Sequence, residues 1–366
     1  MRPRSNPDPL TILLVRLRLI GDVIFTTPVI RALRRQYPGA RLLYLVEESA
    51  SPVVATNPHL SDVLTVPHRK GWRRIIDDAR LMRALRRERI DLVIDLHGGP
   101  RSALLSWATR APVRVGYDVP GRSWMYTRIV PRPRGYRPRH AVENQWDLVA
   151  AADAAPSGSP DRTRDRVEMC VPATTAAQTA LALTDCGVAP ETRLVILHVS
   201  AGNPFRRWPE PSFAAVAAAL ASRSDHCTVL VTAGPSDRSA VRRVVDDARA
   251  LAGPHATRIV DAEHLSLWQL RSACDRAALF IGGDSGPLHI ASTSDVPILA
   301  IYGPTLAERS EPWRPDSIPT AAVDGGPLPC RPCDQRTCVP GDFRCLSNVR
   351  PSAVIEAATA LLGATQ

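Results

Sequence analysis

The sequence predicts an α/β protein built from two doubly wound, parallel-sheet domains. Three observations lead there. The chain has 366 residues, enough for about two domains at roughly 100–200 residues each. Short, wholly apolar runs recur along it, the signature of strands buried on both faces of a parallel sheet. Helix-spaced segments separate those runs, and the alternation goes once through each half of the chain.

Taken in order, Ile12–Val15 is the first strand. Val23–Tyr37 is the first helix, with Val23, Thr26, Ile30, Leu33 and Tyr37 on one face and Pro38-Gly39 ending it. Leu42–Val46 and Val63–Val66 follow as strands, Ile75–Arg87 as a helix that is basic outside, and Leu92–Asp95 and Val113–Gly116 as two more strands. Arg128–Arg139 breaks the rhythm with five arginines and three prolines and reads as a loop. Ala151–Pro160 is small and Pro/Ser-rich. The linker is expected between it and Pro190, giving domains 1–175 and 176–366.

The rhythm then restarts with strand Leu194–Leu197, helix Glu210–Arg223, strand Cys227–Thr232 and helix Ser236–Leu251. Strand Arg258–Val260, helix Ser266–Cys274 and strand Ala277–Ile281 come next. A short helix near Pro287–Ser292, strand Ile298–Ile301 and a closing helix Val349–Leu362 complete it.

Hydrophobic residues make up 45% and charged residues 22%, the ordinary balance of a folded protein. That excludes a mostly disordered chain. The 34 prolines are scattered and punctuate elements. Lys+Arg is 46 against 36 for Asp+Glu, a net charge of +10, and Lys70 is the only lysine. The surplus suits an anionic partner: nucleic acid, a phosphorylated substrate or an acidic membrane surface. A coding bias towards Arg would explain the Arg/Lys ratio alone. The apolar stretch Leu10–Val15 is too short for a signal or membrane helix, so a cytoplasmic location is expected.

Four segments carry chemistry. In Leu19-Ile-Gly-Asp22, Gly21 allows close backbone approach. Asp22 lies at a strand-to-helix turn and fits either a helix N-cap or a catalytic carboxylate beside the strand ends. The full Gly-x-Gly-x-x-Gly pattern is absent, which leaves nicotinamide or flavin binding unsupported. In His198–Pro209, Ser200, Ala201 and Gly202 offer backbone N–H groups to a phosphate, and Arg206 and Arg207 add planar donors. Trp208-Pro209 reads as a packing and helix-start device.

In Ile281–His289, a buried strand runs through paired glycines into Asp284, Ser285 and Gly286 and then a helix. The N–H groups and dipole at such a helix start suit a diphosphate. Asp284 or Ser285 fits a helix cap as well, and His289 points into the same region. Asp237, after another strand end, fits a ribose contact or a cap equally. Last, Cys330-x2-Cys333-x4-Cys338-x6-Cys345 fits a tetrahedral zinc, reduced thiols in a compact loop, or disulfides.

Together these segments resemble glycosyltransferase family 9, the heptosyltransferases of lipopolysaccharide assembly. Arg16–Pro28 is similar to the family's N-terminal motif and Ser200–Pro209 to its phosphate loop. Gly283–His289 and Tyr302-Gly-Pro-Thr305 are similar to its most specific stretch, and the cysteine cluster is similar to that of many members. The likeness covers about Leu10 to Leu362.

It implies a GT-B fold, two Rossmann-like domains facing across a cleft, with the acceptor bound by the N-terminal domain and the donor by the C-terminal one. It implies inverting transfer of a heptose from ADP-heptose to an anionic inner-core lipopolysaccharide acceptor, with Asp22 as general base. Donor contacts would fall on Ser200, Arg206, Asp284, Ser285, Gly286 and His289, and Asp237 would reach the ribose or adenine. Some members carry Lys at the position of Arg206, which keeps the charge and changes the geometry.

On the acceptor side the candidates are Gly21, Arg132, Arg134 and Arg137, and the arginine loop also suits peripheral contact with an anionic membrane. No cofactor is required by this scheme, with zinc at Cys330, Cys333, Cys338 and Cys345 left open. No nucleic-acid partner is expected, since the sequence has no zinc-finger pair or aromatic-interleaved basic patch. The rival readings are a GT-B transferase with a different nucleotide sugar or acceptor, a nucleotide-sugar epimerase, and a non-catalytic anionic-ligand or zinc-binding protein.

Overall fold

The computed structural model describes residues 9–69, 71–131, 139–154, 158–223, 227–262 and 265–364. Two units are resolved, Met1–Cys170 and Val171–Gln366. Arg132, Arg134 and Arg137 lie outside the described residues.

The first unit runs β1 (Thr11–Val15), α1 (Ile20–Ile24), α2 (Thr27–Gln36), β2 (Arg41–Glu47), β3 (Asp62–Val66), α3 (Gly71–Arg87), β4 (Leu92–Asp95), α4 (Pro100–Ala108), β5 (Val113–Tyr117), β6 (Arg128–Val130) and α5 (Ala141–Ala151). Every strand pair is parallel, in the order β3-β2-β1-β4-β5-β6. The chain starts at the sheet centre, works out to β3, and returns to the other side of β1 with β4. Strand order therefore reverses between β1 and β4, and the crevice at their C-terminal ends is where such sheets hold ligands. Ile12, Leu13, Leu14 and Val15 are all fully buried because helices cover both faces, which is why the strand reads as a continuous apolar run.

The second unit repeats this plan. It runs α6 (Thr175–Asp185), β7 (Arg193–His198), α7 (Glu210–Ala221), β8 (Cys227–Thr232), α8 (Arg238–Ala252), β9 (Ile259–Ala262), α9 (Leu267–Arg276), β10 (Leu279–Gly283), α10 (Gly286–Ala291), β11 (Ile298–Tyr302), α11 (Ala307–Ser310), β12 (Thr320–Asp324), α12 (Arg344–Ser347) and α13 (Pro351–Gly363). The parallel order is β12-β11-β10-β7-β8-β9, the same winding as in the first unit. Its switch point lies between β7 and β10.

The expected first helix is two helices. Pro28 has no N–H to give to Ile24, and the hydroxyls of Thr26 and Thr27 bond the carbonyls of Val23 and Ile24 at 2.6 and 2.8 Å instead. The expected loop Arg128–Arg139 begins as an edge strand, β6, paired with β5. Arg128 is committed to the end of α5, donating to the Ala151 carbonyl at 2.8 Å and to Asp153 at 2.7 Å. Arg139 pairs with Asp147. Six further elements, α4, α5, α6, α11, β12 and α12, have no counterpart in the sequence reading.

Candidate active site

In the first unit, the chain leaves β1 and enters α1 through Leu19, whose φ of +70° lies in the left-handed region. That costs a non-glycine residue roughly 1–2 kcal/mol. Leu19 is the N-cap, and Asp22 sits in the first turn of α1 without capping it. The Asp22 carboxylate, 32% exposed, is paired with the Arg16 guanidinium. Arg16 also donates to the Leu96 carbonyl at 2.6 Å. Leu96 follows β4, so one arginine ties both strand ends at the switch point to this carboxylate. Gly21 is buried in the same turn.

Asp95 ends β4 at the same sheet edge. It is fully buried and accepts from the backbone of His97 and Gly98, both at 2.9 Å, and from the Tyr126 hydroxyl at 2.7 Å. Burial pushes its pKa up against those bonds. Tyr126 reaches it because residue 116 is glycine: a Cβ there would sit 2.3 Å from the ring. Asp95 thus shapes the loop after β4, a role the sequence reading did not find.

In the second unit, Asp284 follows β10 and is 2% exposed. Arg206 meets its carboxylate at 3.0 Å and its carbonyl at 3.2 Å. His289 lies 3.5 Å away, and the hydroxyls of Thr305 and Ser310 donate to it at 2.6 and 3.1 Å. Burial alone would raise the Asp284 pKa. The His289 hydrogen bond, the Arg206 charge and the Thr305 hydroxyl outweigh it and hold the group at about 2. Asp284 is therefore a buried anion that fixes a cation, Arg206, whose side chain stays 30% exposed.

Gly283 belongs to the same arrangement. A Cβ on it would come within 3.2 Å of the Arg206 carbonyl, so the paired glycines let the two loops pack. Ser285 is the N-cap of α10 but makes no capping bond, and its Oγ is buried without a partner among the described residues. A buried unpaired hydroxyl beside an anchored arginine marks a place for a polar ligand.

The loop after β7 is tied from within. Ser200 Oγ accepts from the Gly234 N–H at 2.8 Å and lies 3.2 Å from His198 Nε2, while His198 Nδ1 meets Thr232 at 3.0 Å. Burial lowers the His198 pKa to about 4, so the ring is neutral at pH 7. Arg207 donates to the Ala201 carbonyl at 2.9 Å and pairs with Asp237 at 3.1 Å. Asp237 is thus the N-cap of α8 by position, without a side-chain capping bond, and its carboxylate is spent on Arg207. A pocket lined by Gly234, Arg238, Asp261 and Ala262 lies next to it. Trp208 packs edge-on against Phe213 and donates to the Val349 carbonyl at 3.1 Å, as the packing reading expects.

The cysteine segment lies over the same loops. Gln335 Oε1 accepts from Arg206 Nε at 2.7 Å and from Asn203 Nδ2 at 2.9 Å. Phe343 meets Phe205 with ring centroids 5.3 Å apart, and the Cys333 N–H bonds the Pro304 carbonyl at 3.2 Å. Thr305 lies in the Tyr302-Gly-Pro-Thr305 motif, but Ser310 and Gln335 come from positions that no motif signals. None of the four cysteines of this segment is disulfide-bonded. Burial and then the neighbouring Cys333, Cys330 and Cys338 raise the Cys345 pKa. Among the described residues no group of three or more His, Cys, Asp or Glu side chains is placed to hold a metal ion.

The sequence model of glycosyltransferase family 9 (heptosyltransferase) matches residues 79–342. The chain is 28% identical to lipopolysaccharide heptosyltransferase 3 of Escherichia coli over 327 residues, covering 87% of this chain and 91% of that one. The fold is similar to that of a family 9 glycosyltransferase from Veillonella parvula, with a TM-score of 0.83, 23% identity, and 99% and 100% of the two chains covered. It is also similar to the ADP-heptose lipopolysaccharide heptosyltransferase II of Escherichia coli, with a TM-score of 0.76, 19% identity, and 97% and 99% covered.

Proposed function

This chain belongs to glycosyltransferase family 9, the heptosyltransferases, and on that premise we propose that it transfers a heptose from ADP-heptose to an anionic inner-core lipopolysaccharide acceptor, inverting the anomeric centre. The observation that carries the reading is the anchored cation beside an unsatisfied hydroxyl: Arg206 held by buried Asp284, next to Ser285. The relative from Escherichia coli described as an ADP-heptose enzyme supports the choice of donor.

The roles follow from charge. As the glycosidic bond to the diphosphate breaks, negative charge grows on the leaving ADP. Arg206, the Ser285 hydroxyl and the Gly286 N–H are the groups suited to meet it. A carboxylate repels a diphosphate, so Asp284 acts by orienting Arg206 and His289. Ser200 keeps the loop after β7 in shape by accepting from the Gly234 N–H, and the backbone N–H groups of this loop are further donors suited to the phosphates. Asp22 takes the proton from the attacking acceptor hydroxyl, held in position by Arg16, and its negative charge stabilises an oxocarbenium-like transition state. Gly21 leaves room for the acceptor.

The test is ADP release from ADP-heptose with lipid A–core acceptors. Asp22→Asn keeps the shape and removes the base, and its kcat should fall by roughly 10²–10⁴. Arg206→Ala removes a charge-assisted contact of about 1.5–3 kcal/mol, so kcat/KM for the donor should fall more than about tenfold. Near wild-type kcat in Asp22→Asn would exclude it as the base.

A further inference from the structure

The outer side of α3 is a surface that the transfer chemistry does not use. Its inner side packs on the core through Leu81, Met82 and Leu85. On the outer side Trp72, Ile75 and Ile76 are 67%, 70% and 40% exposed. Arg80, Arg83 and Arg87 follow, all exposed. Counted from Trp72 these are positions i, i+3, i+4, i+8, i+11 and i+15, a single stripe on a helix. Arg73, 5.7 Å over the Trp72 ring, flanks the apolar end.

The acidic residues of α3 lie off this stripe and are paired. Asp77 meets Arg69 at 3.6 Å, and Asp78 meets Arg101 at 2.6 Å and Arg74 at 3.6 Å. The stripe is therefore apolar at its first turns and purely cationic beyond them. Because α3 follows β3 in an all-parallel sheet, its first turn lies at the same sheet edge as the turn after β1 that carries Asp22.

We propose that this stripe seats the protein on an anionic lipid bilayer. Trp72, Ile75 and Ile76 enter the boundary between headgroups and acyl chains, and Arg80, Arg83 and Arg87 meet lipid phosphates. Exposed Trp72, Ile75 and Ile76 supply apolar area to bury at the headgroup boundary, and each arginine near such a surface adds attraction to anionic lipid. The Asp22 edge of the unit is thereby brought to the surface that displays a lipid-anchored acceptor. That last step rests on the heptosyltransferase reading, whereas vesicle binding itself does not.

The experiment is co-sedimentation of the full chain with vesicles containing phosphatidylglycerol or made of phosphatidylcholine alone. The wild type should prefer the anionic vesicles by roughly tenfold or more and lose that preference as salt is raised. Trp72→Ser/Ile75→Ser/Ile76→Ser and, separately, Arg80→Glu/Arg83→Glu/Arg87→Glu should each lower binding by about fivefold or more. Trp72→Ser alone is the milder third variant if either triple variant fails to fold.

Equal binding to both vesicle types, or variants that bind like the wild type, would overturn the proposal. So would a wild-type dimer in sedimentation velocity that the serine variant dissolves, since the stripe would then belong to a second copy. With a soluble, delipidated core acceptor the serine variant should keep wild-type kcat/KM, and with the acceptor embedded in vesicles it should lose it. No ADP release by the wild type on either acceptor would sink the functional reading and leave the vesicle result standing.

Discussion

Replacing Asp284 by Asn removes the charge at the centre of the second unit's site and keeps its volume. The carboxylate is 2% exposed and touches Arg206, His289, Thr305 and Ser310. An amide offers one oxygen and an NH2, so one of the two hydroxyl donors would face another donor. Arg206 is partly exposed, and water offsets some of its loss. Asp284→Asn should therefore cost about 2–3 kcal/mol, below the usual range for breaking a fully buried pair.

Acid should remove the same interaction. The folded pKa of about 2 is depressed from the ordinary 3.8, so its stabilisation is present above about pH 4 and lost as pH falls towards 2. At 1.36 kcal/mol per unit that is about 2 kcal/mol. Urea unfolding at pH 7 measures the substitution, urea unfolding between pH 4 and 2 the proton, and calorimetry with ADP the consequence for Arg206, where a roughly tenfold loss of affinity is expected. A variant within about 0.5 kcal/mol of wild type that also binds ADP equally well would refute the view of Asp284 as the hub.

Two further outcomes follow from the same unit. His198, held near 4 by burial against an ordinary 6.5, binds its proton more weakly in the folded state. Stability should therefore fall as pH drops from about 6.5 to 4, by up to about 3 kcal/mol, and pH-dependent unfolding of His198→Gln should lack that loss. Gln335→Met keeps length and removes the oxygen that Arg206 Nε donates to. ADP affinity should drop by about three- to tenfold, and a double-mutant cycle should show no further drop once Arg206 is Ala.

The strands were legible where helices cover both sheet faces. β1, β7, β8, β10 and β11 are each fully buried from end to end or nearly so, and they are mostly apolar because a polar side chain there needs a partner, as His198 and Thr232 find in each other. β12 is an edge strand with alternating exposure, so Thr320–Asp324 carries no such run. α4 escaped notice because it buries Ser102 and Ser106 along with its apolar residues, which blurs the helical period. The break between α1 and α2 had a visible signal in Pro28, but reading it required knowing that the Thr27 hydroxyl would take the Ile24 carbonyl that Pro28 leaves without an N–H.

The site divides in the same way, between what is local in sequence and what the fold brings in. Asp22 and the Gly283–His289 segment sit at strand ends, where the winding of the sheet puts ligands, and short motifs suffice to find them. Their partners are another matter. Nothing in the spacing of the chain joins Arg206 to Asp284, or either to Thr305, Ser310 and Gln335. The sequence reading takes Asp284 as a phosphate contact, and the structure shows it buried with four partners, one of them Arg206.

The same geometry accounts for arginine and not lysine at position 206. Its Nε donates to Gln335 and its Nη1 to Asp284, two acceptors on separate segments held by one planar group. A lysine ammonium is a point charge on a flexible stem and cannot fix both directions at once. The cysteine segment that supplies Gln335 and the choice of arginine are thus parts of one device, and an Arg206→Lys variant should lose its sensitivity to Gln335→Met while retaining the charge.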